Sequence, residues 1–175
     1  MVSPTCWMTT YSGIRFNPLE PDPNLINMAD IAHGLSLTCR FSGQCNKFYS
    51  VAEHSVRLAL IVPKSMRSMA LMHDAAEAYL TDVSKLVKNN LPCYQEAEKK
   101  LLIVILDKYN VEPESMEIKP YEYQLLAQEC RDLGVNTTMW HLPLPPSPVR
   151  LDPWNPEFAE HIFLALVDIL GIGLV

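Results

Sequence analysis

Residues 71–82 read Leu-Met-His-Asp-Ala-Ala-Glu-Ala-Tyr-Leu-Thr-Asp. Whatever fold this chain adopts must house that stretch, which sets His73, Asp74, Glu77 and Asp82 in an otherwise apolar segment. Charges of this kind are costly to bury unless a metal ion, a partner charge or a bound proton compensates them. His73 and Asp74 are adjacent ligands of different kinds, which one metal ion can share. Glu77 follows His73 by four residues, so on a helix it projects from the same face. A second isolated imidazole, His54, lies nineteen residues before His73.

The surrounding sequence reads as helices. Residues 11–25 hold Gly13, Pro18, Pro21 and Pro23 and suggest an irregular lead-in, residues 1–25 as a whole. A helix is expected from about Asn27 to Cys39, then a loop over 40–49. Ser50-Val-Ala-Glu53 is a capping box that starts a helix reaching about Val62, where Pro63 ends it. Ser65 is expected to cap a helix to about Tyr79, with Met69, Met72, Ala76 and Tyr79 as its buried stripe. A short helix over Asp82–Val87 and a chain break at Asn89, Asn90 and Pro92 follow. Residues 94–109 form an amphipathic helix whose Glu96, Glu98, Lys99 and Lys100 read as a solvated face. Pro120 opens a helix that stops before Gly134. Residues 135–153 are a Pro-rich loop, of a length that is often functional. Asn155-Pro156-Glu157 starts a final helix closing at Gly171. No repeats and no convincing strands emerge. The expectation is a single all-α domain over 1–175, a bundle of about seven helices.

Composition narrows the class. Apolar residues make up 49% of the 175 and charged residues 19%, which favours a packed core over disorder. No apolar run reaches the roughly 18 residues of a membrane span. Met1–Thr10 lacks a basic region followed by an apolar core, so no signal peptide is expected. The five cysteines are scattered without a CxxC pair, as in a reducing cytoplasm. Cys39, Cys45 and His54 match no zinc module in spacing. A net charge of −6 argues against binding a nucleic-acid polymer, while Arg15, Arg40, Lys47, Lys85 and Lys88 are enough for a small anionic substrate.

His54 falls one turn inside the helix that Ser50 caps, and His73-Asp74 falls on the next helix. Consecutive helices joined by a short link at 62–64 pack antiparallel, so ligands on their facing sides can converge. A divalent metal held there would lower the pKa of water and polarise a phosphoryl oxygen. Glu77 and Asp82 would then act as acids or bases beside it.

These residues carry a resemblance. His54, His73-Asp74 and a later acidic residue resemble the H…HD…D signature of the HD-domain phosphohydrolases. Arg40 in Cys-Arg-Phe, His73-Asp74-Ala-Ala-Glu77 and Asp82-Val-Ser-Lys-Leu-Val-Lys88 match segments of that superfamily's 5′-deoxynucleotidases. Tyr11-Ser-Gly-Ile-Arg-Phe16, Asp30-Ile-Ala-His33 and Phe48-Tyr-Ser-Val-Ala-Glu-His-Ser55 are similar to a group of phage and bacterial HD phosphohydrolases. Within it the chain is similar to the dATP triphosphohydrolases of phages that replace adenine with 2-aminoadenine. The match runs from about residue 11 to residue 133.

The resemblance implies an HD-domain helical bundle that hydrolyses dATP to deoxyadenosine and triphosphate, and acts also on dADP and dAMP. It implies a metal held by His54, His73, Asp74 and a fourth carboxylate. Relatives carry an Asp in Lys-Glu-Ala-Asp. Here the matching run is Lys119-Pro-Tyr-Glu122, so Glu122 takes that place, one methylene longer. Glu129 and Asp132 are the alternatives, and Glu122 is preferred. Mixed nitrogen and oxygen ligation suits manganese, cobalt, iron or zinc, with magnesium a further candidate. Glu77 would position or deprotonate the attacking water and Asp82 would handle the leaving-group proton. Arg40, Lys85 and Lys88 would contact phosphate, with Arg15 and His33 as further substrate candidates. For Arg15 the alternative is packing on an aromatic ring, and for His33 a hydrogen bond within the helix packing. Trp7, Phe16 and Ile26 are candidates for a base pocket, with ordinary packing the simpler account. The resemblance and the apolar run Ile162–Val175 suggest a homo-oligomer, a dimer or hexamer, although that run equally suits a buried last helix. A cytoplasmic location is expected, in the host if the gene is a phage's. The alternative activities are a 5′-deoxynucleotidase of broad base preference and a non-catalytic module that binds a nucleotide or metal.

Overall fold

The computed structural model describes residues 7–113, 116–138, 142 and 150–173. It is an all-α bundle. Eight α-helical segments occur among the described residues: α1 Met28–Leu37, α2 Val51–Ile61, α3 Arg67–Met72, α4 Glu77–Leu80, α5 Lys85–Lys88, α6 Pro92–Lys108, α7 Lys119–Leu133 and α8 Pro156–Leu170. The lead-in is more ordered than its composition suggests. Met8–Thr9 (β1) and Arg15–Phe16 (β2) pair antiparallel as a two-residue ribbon, a strand pair that the sequence reading omits. Asp30 ties this ribbon to α1, accepting hydrogen bonds from the Ser12 amide at 2.7 Å and the Ser12 hydroxyl at 2.8 Å.

Caps set most boundaries. Asn27, Ser50 and Asn155 each accept an amide proton from the first turn of α1, α2 and α8 respectively. Gly134 and Gly171 end α7 and α8 in the left-handed conformation, with φ of 71° and 66°. The capping box at Ser50 is only half made. Glu53 donates its amide to Ser50 Oγ at 3.0 Å, but its carboxylate turns to Arg57 and to the Trp154 amide at 2.8 Å. That carboxylate fixes the entry to α8 instead. Pro92, expected to break the chain, sits at the start of α6, where its missing N–H costs nothing.

α2 is central. It packs on α1, α3, α7 and α8, and Val51, Ala52, Val56, Leu58 and Ala59 are all buried. Ile31 and Leu35 of α1, Leu71 and Met72 of α3, Leu101 and Ile105 of α6, and Phe163 of α8 complete the core. Each such side chain contributes about 1.5–3 kcal/mol of burial free energy. α8 is therefore a buried final helix along Ala159, Phe163 and Val167, while Ile169 remains exposed.

The helix expected over residues 65–79 is broken. A 3₁₀ turn at Lys64–Met66 precedes α3, without a side-chain cap from Ser65. After Met72 the backbone tightens to i→i+3 bonds, Ala75 N to Met72 O at 3.0 Å and Glu77 N to Asp74 O at 2.9 Å, before α4 begins. His73 and Asp74 thus lie in a tight turn between two helices, where successive side chains fan apart more than in a regular helix. α4 is held close to α1 because Gly34 has no side chain. A Cβ there would stand 2.7 Å from the Ala78 carbonyl oxygen. The Pro-rich segment expected as a loop, 135–153, lies largely outside the described residues.

Candidate metal centre

His54 is a core residue before it is a candidate ligand. It lies on the buried helix α2, and its side chain is 4% exposed. Its Nδ1 meets Glu129 Oε1 at 2.6 Å. His73 Nδ1 meets the Ala70 carbonyl oxygen at 2.8 Å, a bond in which the ring must donate. With each Nδ1–H committed, both Nε2 atoms present lone pairs. Asp74 Oδ2 lies 3.0 Å from His73 Nε2 and 3.9 Å from His54 Nε2. Ligand atoms of all three residues fall within 4.8 Å of one another. Separations of 3–4 Å suit neighbouring ligands of one ion whose bonds are about 2.0–2.2 Å long. His54, His73 and Asp74 therefore form a group that can hold a metal ion. The hydrogen-bonded Nδ1 atoms fix tautomer and ring orientation, as partners of metal-bound imidazoles do.

Electrostatics fit the same purpose at His54 and Asp74, while His73 is drawn toward its charged form by Asp74. Burial, then the nearby Arg40 charge, lowers the His54 pKa and favours the neutral ring that a metal needs. Burial also works against charge on His73, but Asp74 beside it prevails and raises its pKa. Burial opposes ionisation of Asp74, yet His73, His54 and Arg40 outweigh it and hold the carboxylate far below its usual range.

Glu122, the expected fourth ligand, lies outside that close group. Its field reaches His73, and one oxygen accepts from Lys119 Nζ at 2.9 Å. The other, Oε1, is buried and has no hydrogen-bond partner among the described residues. An orphaned carboxylate oxygen near His73 is what a further cation ligand looks like without its cation. Of the alternatives, Asp132 is taken up by Arg131, Arg150 and the Leu151 amide. Glu129 stands behind the site. Fully buried, it accepts from His54, from Tyr49 Oη at 2.9 Å and from Arg40 Nη2 at 3.3 Å. Burial would raise its pKa, but Arg40 and His54 pull it down to about 2. This supporting role is missed by the sequence reading. The available signal was the seven-residue spacing from Glu122, which puts both on one face of α7.

The remaining predicted residues divide. Glu77 is buried, with Oε2 unpartnered among the described residues. Burial, Asp74 and Asp82 push its pKa up to about 9. Asp82 follows Thr81, whose φ is 67°, and lies near enough to act on both Glu77 and Arg40. Arg40 comes within 3.7 Å of Asp74. Burial works against its charge, but Glu129, Asp74 and Asp82 keep it firmly cationic. Lys88 Nζ stands 3.5 Å from Glu77 and 2.6 Å from Glu98, so Glu98 is not on a solvated face as the charge pattern suggests. Lys85 is exposed.

Two expected substrate residues have partners of their own. Arg15 packs 4.1 Å above the Trp7 ring. His33 stacks on Tyr11 at 3.7 Å and bonds Glu160 at 3.0 Å, beside a cavity of about 290 Å³ that Thr10, Asp30 and Tyr79 also line. Phe16 and Ile26 are core residues. Cys39, Cys45, Cys93 and Cys130 are free thiols. No described helix is long and apolar enough to cross a membrane.

Fold and site together define an all-helical protein with a His-His-Asp group able to hold a metal ion. No family model matches the chain. It is 41% identical over 133 residues to the uncharacterized protein YfdR of Escherichia coli, covering 74% of each chain. It is 38% identical over 91 residues to the uncharacterized protein RCAP_rcc00048 of Rhodobacter capsulatus, covering 47% of this chain and 46% of the relative. The chain belongs to the family of YfdR.

Proposed function

We propose that the protein is a metal-dependent deoxynucleotide phosphohydrolase of the HD-domain kind, with dATP as substrate. One observation carries the reaction class: two imidazoles with committed Nδ1 atoms turn their Nε2 atoms to one half-buried carboxylate, beside a half-buried guanidinium. Such a donor set suits a divalent cation, and a cation beside phosphate-binding groups suits phosphoryl transfer. The choice of dATP rests on the likeness of residues 11–55 to dATP triphosphohydrolases.

His54, His73, Asp74 and Glu122 would hold the ion, with manganese, cobalt, zinc or magnesium as candidates. Once bound, the ion would polarise a phosphoryl oxygen and acidify water. Arg40, Lys85 and Lys88 supply positive charge to the equatorial oxygens as they gain negative charge in the transition state. Glu77, ionised once a cation is held beside it, would accept a proton from the attacking water, and that proton would pass by way of Asp82 to the departing O5′. Water adds to the α-phosphorus, the P–O5′ bond breaks, and deoxyadenosine and triphosphate leave. The same bond breaks in dADP and dAMP.

The test is a product assay on all four deoxynucleoside triphosphates and on dAMP, with each metal in turn. Intact triphosphate released from dATP supports the reading. Reaction of monophosphates alone would overturn it in favour of a 5′-deoxynucleotidase. Hydrolysis that survives Asp74→Ala would sink the metal assignment. A dimer or hexamer completes the proposal and is checked by light scattering.

A further inference from the structure

The start of α6 faces the segment that carries Asp82 and Lys88, and it holds that segment at three places. Tyr94 Oη shares its one proton between the Thr81 carbonyl at 2.7 Å and the Leu80 carbonyl at 3.1 Å. Gln95 Nε2 donates to the Lys88 carbonyl at 2.6 Å. Glu98, one turn further on, receives the Lys88 ammonium at 2.6 Å. Thr81 needs such support because a β-branched residue at φ 67° is strained. The contact with Glu98 does something else, because it pairs charge rather than fixing backbone. Both partners are mostly shielded, with side chains 23% and 19% exposed. The pair is therefore worth more than an open surface pair. Glu77 is the second carboxylate in reach, a longer 3.5 Å away.

We propose that Glu98 is a positioning residue for this site: by holding the Lys88 ammonium it limits the charge that Lys88 offers to Glu77 and to an incoming phosphate. The inference deepens the phosphohydrolase reading and rests on it. Lys88 lies among Glu98, Glu77, Asp74 and the Tyr94 ring. Of these, Glu98 and Tyr94 belong to α6, outside the segment from Asp74 to Lys88 that builds the reacting face, and of the two only Glu98 brings a carboxylate. Replacing its carboxylate with an amide removes the closest anion while keeping the shape. Lys88 then has Glu77 and a bound phosphate as partners, and anions bind more tightly.

The experiment measures binding of inorganic tripolyphosphate to the full chain by titration calorimetry in EDTA, with KM and kcat for dATP in manganese alongside. Glu98→Gln is expected to bind tripolyphosphate about 5-fold tighter, the scale of one charge a few Å away. It should lower KM by a similar factor with little change in kcat. Glu98→Asp, which keeps the charge, should stay near wild type, and Glu98→Gln should have no effect on top of Lys88→Met. An unchanged dissociation constant in Glu98→Gln overturns the proposal. So does an equal shift in the Lys88→Met background, or an Asp variant that behaves like the Gln variant. Hydrolysis of dATP without the shift removes only the role of Glu98. The shift without any hydrolysis removes only the reaction.

Discussion

At the scale of single residues, the two buried carboxyl groups nearest the ligands carry opposite signs of pH dependence. Glu129 has its pKa depressed to about 2 by Arg40 and His54 against the pull of burial. Its contribution is complete above the ordinary carboxylate range and is lost as pH falls toward 2. Glu77 is the reverse, pushed up to about 9 by burial, Asp74 and Asp82. In metal-free protein it stays protonated near neutrality while the unfolded chain releases that proton. Folding therefore loses stability as pH rises from about 4.5 to 9. Glu77→Gln should accordingly melt a few degrees above wild type at pH 7 in EDTA, and at the same temperature near pH 4, while losing hydrolysis. Equal melting at both pH values would show that Glu77 is not held protonated. Glu129→Gln removes the acceptor of His54 and a buried partner of Arg40 together. It should cost about 3–5 kcal/mol in a denaturant titration, and roughly 10–100-fold in metal affinity measured by calorimetry.

At the scale of elements, close approach decides how far α4 can carry Glu77 toward the ligands. Gly34 lets α1 sit against the Ala78 carbonyl, with no room for a methyl group. Gly34→Ala gains helix propensity but must push α4 away. A net loss of about 1–3 kcal/mol is expected by thermal unfolding, with kcat falling more than stability. Helix positions were legible in the sequence because caps and prolines are local: Asn27, Ser50, Pro120, Gly134 and Asn155 all act where they were read. The break at His73–Ala76 was not legible. Ala75 and Ala76 are strong helix formers and the run holds no Gly or Pro, so the tighter winding is set by packing and by the polar groups around Asp74, not by a local breaker. The same limit applies to Glu98, whose charge pattern looks like a solvated stripe until α5 is seen to fold back on α6.

At the scale of the molecule, the candidate centre joins α2 to the turn between α3 and α4, with α7 behind and Arg40 from the 3₁₀ turn before α2. The ligand pair His54 and His73-Asp74 could be read from the sequence because adjacent helices with a short link must pack together. The burial of Glu129 against His54 could not, since it depends on how α7 crosses α2. Because the centre spans elements, a metal should stabilise the folded chain as a whole. At about 100 times its dissociation constant an ion adds roughly 2.7 kcal/mol. For a chain of this size that is a rise of about 5–10 °C in melting temperature. Differential scanning fluorimetry with manganese, cobalt and zinc reads it directly, and Asp74→Ala should abolish the rise.

α7 carries Glu122, whose field reaches His73, and Glu129 behind His54, seven residues apart. Two helical turns keep them in register, so the helix works like a key with two teeth. An insertion or deletion of one residue between them would turn one tooth by about 100°, leaving either His54 without its acceptor or Glu122 turned away from His73. In this chain, exchanges on the outer face of the helix should be tolerated, whereas a one-residue insertion between the two acids should not, a contrast that metal affinity measured by calorimetry would read.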